Sequence, residues 1–274
     1  MTSGAGIDGY RQYLAERNGT PDLLRRRLER REEFFAAIEA DPVRSRRTID
    51  RDTFLHNLRR RHPGAGLSRE LAWLLATAKL NQAERFGVGL GETYGRNSGN
   101  RPPEAVYLEL EEHYHTRLLA YVLDMFDLPF QVVLPPLVMR QFVKLSVFLP
   151  ERPGLPFVGA AEMAGCVMFD ELRRAGVAIF ADEPDVAARI DSLYSEILTD
   201  EIGHVGYCAA RCSHTGRMLM RRLYPRFGRL FAHQTSEILL VVDRHDLHER
   251  LGRPFDITAL AQGLSTATFI AAEP

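Results

Sequence analysis

Residues 199–204 read Thr199-Asp200-Glu201-Ile202-Gly203-His204, and residues 111–115 read Glu111-Glu112-His113-Tyr114-His115. Each segment holds a glutamate followed three positions later by a histidine: Glu201 with His204, and Glu112 with His115. On an α-helix a step of three returns to nearly the same face, about 60° away, so both side chains of a pair can act on one object. The flanking residues predict such helices. Around the first pair the series Leu108, Glu112, His115, Leu119, Val122, Phe126 advances in steps of three and four. Around the second, Ile190, Tyr194, Ile197, Glu201, His204, Cys208 does the same. Both are apolar stripes of amphipathic helices, interrupted only by the acid and the imidazole.

Two further stripes carry one acid each: Trp73, Thr77, Leu80, Glu84, Val88, and Val158, Glu162, Cys166, Phe169. A carboxylate on an inward face is costly to bury unless it is paired or bound to a metal. Four acids and two histidines stand on these faces with no lysine or arginine among them. A dinuclear metal centre would supply the missing positive charge.

The spacing between helices gives an independent test. If consecutive helices form antiparallel hairpins, residues equidistant from the turn lie at one height. Glu84 and Glu112 are centred on Ser98, within Asn97-Ser98-Gly99-Asn100. Glu162 and Glu201 are centred on the break Ala181-Asp182-Glu183-Pro184. At about 1.5 Å per residue, an offset of three residues would displace a ligand by nearly 5 Å. The neighbouring acids Glu92 and Glu171 fail this test.

The order Glu84, Glu112–His115, Glu162, Glu201–His204 resembles the ferritin-like non-haem diiron carboxylate superfamily, which takes one glutamate from each of two helices and a Glu-x-x-His from each of the other two. Asp200-Glu201-Ile202-Gly203-His204 is also similar to the Asp-Glu-x-x-His of its oxidases and oxygenases. The resemblance covers about residues 67–213. It implies an all-α, ferritin-like four-helix bundle holding two iron ions. Each iron would take one histidine and one terminal carboxylate (Glu84 or Glu162), and Glu112 and Glu201 would bridge. Carboxylate with imidazole suits manganese or a mixed iron–manganese pair as well. Two residues depart from the family's patterns. Ile197 stands where the arylamine N-oxygenase branch has a histidine, and Gly203 where the oxygenases often have arginine. Glu111 and Asp200, each four residues before a ligand histidine, are candidates to fix an imidazole tautomer, with a solvated role the alternative.

The implied activity is that of an O2-dependent oxidoreductase that hydroxylates, N-oxygenates or desaturates a small organic substrate, drawing on an external electron donor. Two other classes stay open. One is an iron-handling ferroxidase; the other is a metal-free helical interaction protein, in which arginines of the N-terminal arm would meet the inward acids.

The rest of the chain is consistent with this reading. A content of 45% hydrophobic residues across 274 positions supports one large helical domain: an N-terminal helical arm at 1–66, the bundle at 67–213 and C-terminal helices at 214–274. A net charge of −1 argues against nucleic acid as partner. The sparse cysteines Cys166, Cys208 and Cys212 fit a reducing compartment, and no apolar run is long enough for a membrane span, so a cytoplasmic protein is expected, monomer or homodimer. Within the arm, helices are expected at 22–39 and 50–61, with a solvated outer face. In the bundle, Ser68 is expected to cap a helix that Gly91 ends, the others are expected at 104–127, 157–180 and 185–212, and the acids Asp182 and Glu183 before the first-turn Pro184 are expected to cap the last. A short apolar helix is expected near 137–148, and almost no sheet. Tyr194, Cys166 and Cys208 lie close enough to line a pocket, although core packing suits Tyr194 and Tyr207 better than redox chemistry. His113, His245 and His248 read as surface residues.

Overall fold

The computed structural model describes residues 23–60, 62–95, 103–131 and 151–262, together with positions 133, 134, 137, 138, 140, 141 and 144. Among these residues every regular element is helical. Helix α1 spans Leu23–Ala40, α2 Arg51–Leu58, α3 Arg69–Gly95 and α4 Pro103–Asp124. Then come α5 Glu151–Ile179, α6 Pro184–Arg211, α7 His214–Gln234, a 3-10 turn at Ser236–Leu240, α8 Arg244–Gly252 and α9 Ile257–Gln262. Among the described residues no helix is long and apolar enough to cross a membrane.

The four long helices close a ring of contacts: α3 on α4, α4 on α6, α6 on α5, and α5 on α3. Their inward stripes form one core. Trp73 is fully buried, donates from Nε1 to the Leu172 carbonyl at 2.8 Å, and meets the rings of Phe126, Phe180 and Tyr194. The Tyr194 hydroxyl is satisfied by Thr77 Oγ1 at 2.7 Å. Tyr194 is therefore a packing residue whose polar end is already occupied.

Several helix ends differ from expectation. Ser68 does cap α3, its Oγ accepting from Leu71 N at 3.2 Å. The helix then continues through Gly91 to Gly95, because glycine weakens a helix by only about 1 kcal/mol and does not forbid it. Helix α5 begins at Glu151 rather than after Pro156. Pro156 lacks the N–H that would bond one turn back, yet it is buried near Gly216 of α7, and that packing offsets the lost bond. Most of the apolar helix expected at 137–148, and the turn at 97–100, lie outside the described residues.

The acids between α5 and α6 act otherwise than as caps. Glu183 occupies the cap position but makes no side-chain capping bond. Its carboxylate accepts from Arg46 N at 2.7 Å and Ser45 Oγ at 3.0 Å, and pairs with Arg47 Nε at 3.3 Å. Arg47 also binds Glu70 and Asp182. The segment after α1 is thus clamped to the closed end of the α5–α6 hairpin. Helix α1 itself is not merely a solvated arm. Phe35 is fully buried between Tyr114 and Tyr121 of α4, and Arg31, on the same face, is fully buried as well.

Candidate metal centre

Each of the four bundle helices delivers its inward acid to one place. Glu84, Glu112, His115 and Glu201 bring one ligand-type atom each within 4.8 Å of one another, and so do Glu112, Glu162, Glu201 and His204. The two groups share Glu112 and Glu201. Glu84 and His115 belong only to the first group, Glu162 and His204 only to the second. Two positions with two common carboxylates is the arrangement needed to hold a pair of cations side by side.

The histidines turn the same atom toward the cluster. His115 Nδ1 lies 3.2 Å from Glu201 Oε1, and His204 Nδ1 lies 3.1 Å from Glu112 Oε1. Their rings are 5.7 Å apart. Each Nε2 points away, to a carboxylate on the opposite motif: His204 to Glu111 Oε2 at 2.8 Å, and His115 to Asp200 Oδ2 at 3.2 Å. The two acids therefore do serve the imidazoles, but crosswise between α4 and α6 rather than along their own helices. An ionised carboxylate only accepts, so each Nε2 carries a proton and Nδ1 is the nitrogen left to face the cluster, open to a metal once any proton there is displaced.

The donor set fits metal ions better than it fits itself. Neither Nδ1 makes a hydrogen bond of acceptable geometry, and neither does the buried Glu201 Oε2. Buried polar atoms of native proteins are rarely left in that state, and metal ions between the acids would satisfy all three. Glu112 and Glu162 keep 25% and 20% of their side-chain surface accessible, while His115, His204 and Glu201 are buried. One edge of the cluster is therefore reached by solvent.

The electrostatics record the crowding. Burial first, then the charges of Glu112 and Glu201, raise the pKa of Glu84 well above the carboxylate range. Burial, Glu162 and Glu112 do the same to Glu201. Burial opposes the charge on Glu112 too, but its bond to His204 and the two imidazoles outweigh it and bring its pKa down to about 2. Burial disfavours a charged His204, and Glu111, Glu112 and Glu162 overcome it, so that its pKa rises well above normal. Opposite shifts in one small volume mark a site whose carboxylates lack a fixed counter-charge.

Cys166 and Cys208 adjoin the cluster without joining either group. Burial and the nearby glutamates push both thiols well up, so they stay protonated and line the site as small apolar walls. Tyr207 packs with Cys208 in a small cluster beside it. His113 is partly buried and outside both groups. His245 stands with Asp243 and Asp246 in an exposed trio, where Asp243 caps α8 by accepting from both backbone N–H groups. His248 is exposed nearby. Glu171 is taken by Arg250 of α8.

One participant escapes a sequence reading. The fully buried Arg31 of α1 places Nη2 2.6 Å from Asp200 Oδ2 and Nη1 3.2 Å from Glu196 Oε2. An arginine of the N-terminal arm thus does meet inward acids, as a metal-free reading requires, but it meets those behind the histidine and none of the four clustered glutamates.

No protein-family model matches the chain, and no curated protein or solved structure shows significant similarity to it. The functional reading therefore stands on the chemistry of the site.

Proposed function

We propose that this protein is a ferritin-like diiron oxidoreductase that uses O2 to oxidise a small organic substrate. The observation that carries the reading is the pair of four-residue groups sharing Glu112 and Glu201, with both histidine Nδ1 atoms turned inward onto their carboxylates. Glu84 and His115 would complete one ion's ligands, and Glu162 and His204 the other's. Two divalent ions bring four positive charges to four glutamates, which Arg31, already paired elsewhere, does not supply. Oxygen and imidazole donors without thiolate favour iron or manganese, and a bound iron pair would supply the redox chemistry with O2.

The chain's own groups do the rest. Glu111 and Asp200 hold the imidazoles in the tautomer that leaves Nδ1 free. The protonated thiols of Cys166 and Cys208 and the stripe residues around them keep bulk water from the cluster. The accessible edges of Glu112 and Glu162 mark the side from which a small molecule arrives.

Anaerobic loading with Fe(II) followed by an oxygen pulse tests this reading. As resident cofactor, two Fe(II) per chain are oxidised, and further turnover needs a reductant and an organic substrate. Continued oxidation of a large excess of Fe(II) would instead indicate a ferroxidase. No uptake of Fe(II) at all would leave a helical protein without a metal.

A further inference from the structure

The arm helix α1 lies outside the four-helix ring, yet it delivers a fully buried guanidinium to the acid behind His115. We infer that Arg31 is a positioning residue of the metal centre: it fixes the Asp200 carboxylate, through which the His115 imidazole is held. This inference rests on the metal-centre reading above.

Three observations carry it. Asp200 Oδ2 is shared, with Arg31 Nη2 at 2.6 Å and His115 Nε2 at 3.2 Å. One carboxylate oxygen thereby links the arm to the imidazole whose Nδ1 faces the cluster. The guanidinium is flanked on two other sides, by Glu196 Oε2 in an ion pair at 3.2 Å and by the Tyr114 ring with its centroid 5.3 Å away. Tyr114 is the neighbour of His115 on α4, and Glu196 precedes Asp200 by one turn of α6. Helices α1, α4 and α6 are therefore locked together at the height of the ligand.

Stability alone is a poor reason for this arrangement. Phe34, Phe35 and Ile38 already anchor α1 with buried apolar surface. A buried ion pair is usually no more stabilising than well-packed apolar residues of the same volume, because desolvation offsets the attraction. A fixed, forked donor gives direction, which is what a carboxylate needs if it is to orient an imidazole.

The test is a double-mutant cycle read by Co(II) binding to the full-length chain, with affinity and visible absorption followed for each ion. Arg31→Met is expected to weaken one of the two ions about 10- to 100-fold and to shift its spectrum, the range seen when outer partners of metal ligands are removed. Asp200→Asn should do the same to the same ion. The double variant should lose no more than Asp200→Asn alone, because Arg31 acts through Asp200. Should Arg31→Met not fold, Arg31→Gln runs the same cycle. Ile38→Ala, which loosens the apolar anchor of α1 without touching Arg31, is the control for tethering and should leave both ions' spectra unchanged. Two Co(II) bound with wild-type affinity and spectrum in a folded Arg31 variant would overturn the inference, as would additive losses in the cycle. Failure of the wild type to bind Co(II) would instead remove the metal-centre reading on which the inference stands.

Discussion

His204 Nε2 lies 2.8 Å from Oε2 of Glu111, a residue 93 positions away that sits beside the opposite motif's glutamate. Asp200 returns the relationship to His115. The two Glu-x-x-His motifs are thus not independent half-sites, since each helix supplies the acid that orients the other's imidazole.

Removing one of these acids should therefore be felt across the bundle. Glu111→Leu is expected to weaken binding at the position of His204 by about 10- to 100-fold and to leave the position of His115 nearly intact. Asp200→Leu should show the reverse. Co(II) titrations with site-resolved absorption measure this, and a loss confined to the histidine on the same helix would contradict the crossed arrangement.

Metal uptake should release protons. Glu84, Glu201 and His204 have folded-state pKa values raised well above their free ones, so the metal-free site holds protons that neutral solution would otherwise remove. Cations must displace them. Glu112, lowered to about 2, is already ionised and releases none. Anaerobic addition of Fe(II) or Co(II) in weak buffer at pH 7 should acidify the solution. Apparent affinity should fall as pH falls, by about tenfold per unit for each proton displaced. Pairing the ions with no proton release would show that the shifts are not those of the empty site.

Ligand binding to the folded state alone stabilises it by mass action. At a free metal concentration about 1,000 times Kd the gain is about 4 kcal/mol, which is several degrees in Tm for a domain of this size. Thermal unfolding with and without metal should show this increase, and it should vanish in Glu112→Ala.

Fold and site should be separable by mutation. A methyl group at Gly176 would meet Trp73 Cζ2 at 2.5 Å and Ile190 Cγ2 at 3.0 Å. Trp73 is pinned by its bond to Leu172 and cannot yield. Overpacking costs about 1–3 kcal/mol, which exceeds the gain of up to about 1 kcal/mol that alanine brings to a helix. Gly176→Ala should therefore lower Tm while leaving metal stoichiometry unchanged.

The sequence made the clustered residues legible because each interrupts an apolar stripe of known period, and because hairpin symmetry aligns Glu84 with Glu112 and Glu162 with Glu201. It could not show which imidazole an outer acid serves. That choice is made by how α4 packs on α6, not by spacing along either helix. Arg31 was equally hidden. It stands in a run rich in arginine and glutamate, where nothing local distinguishes the residue that is buried from those in water. Glu183 misled for the opposite reason: its position before Pro184 fits a cap, but the backbone N–H of Arg46, far away in sequence, competes for the carboxylate and wins. Pro156 similarly ends a helix by local rules and is carried inside one by tertiary packing.

Six residues from four helices are placed to hold two metal ions. Metal content measured by mass spectrometry on protein made in iron-replete medium, with Glu112→Ala and His204→Ala alongside, tests it most directly. About two irons per wild-type chain are expected, with their loss in the folded variants. Wild-type protein that stays free of metal, even after anaerobic loading with Fe(II), would contradict it.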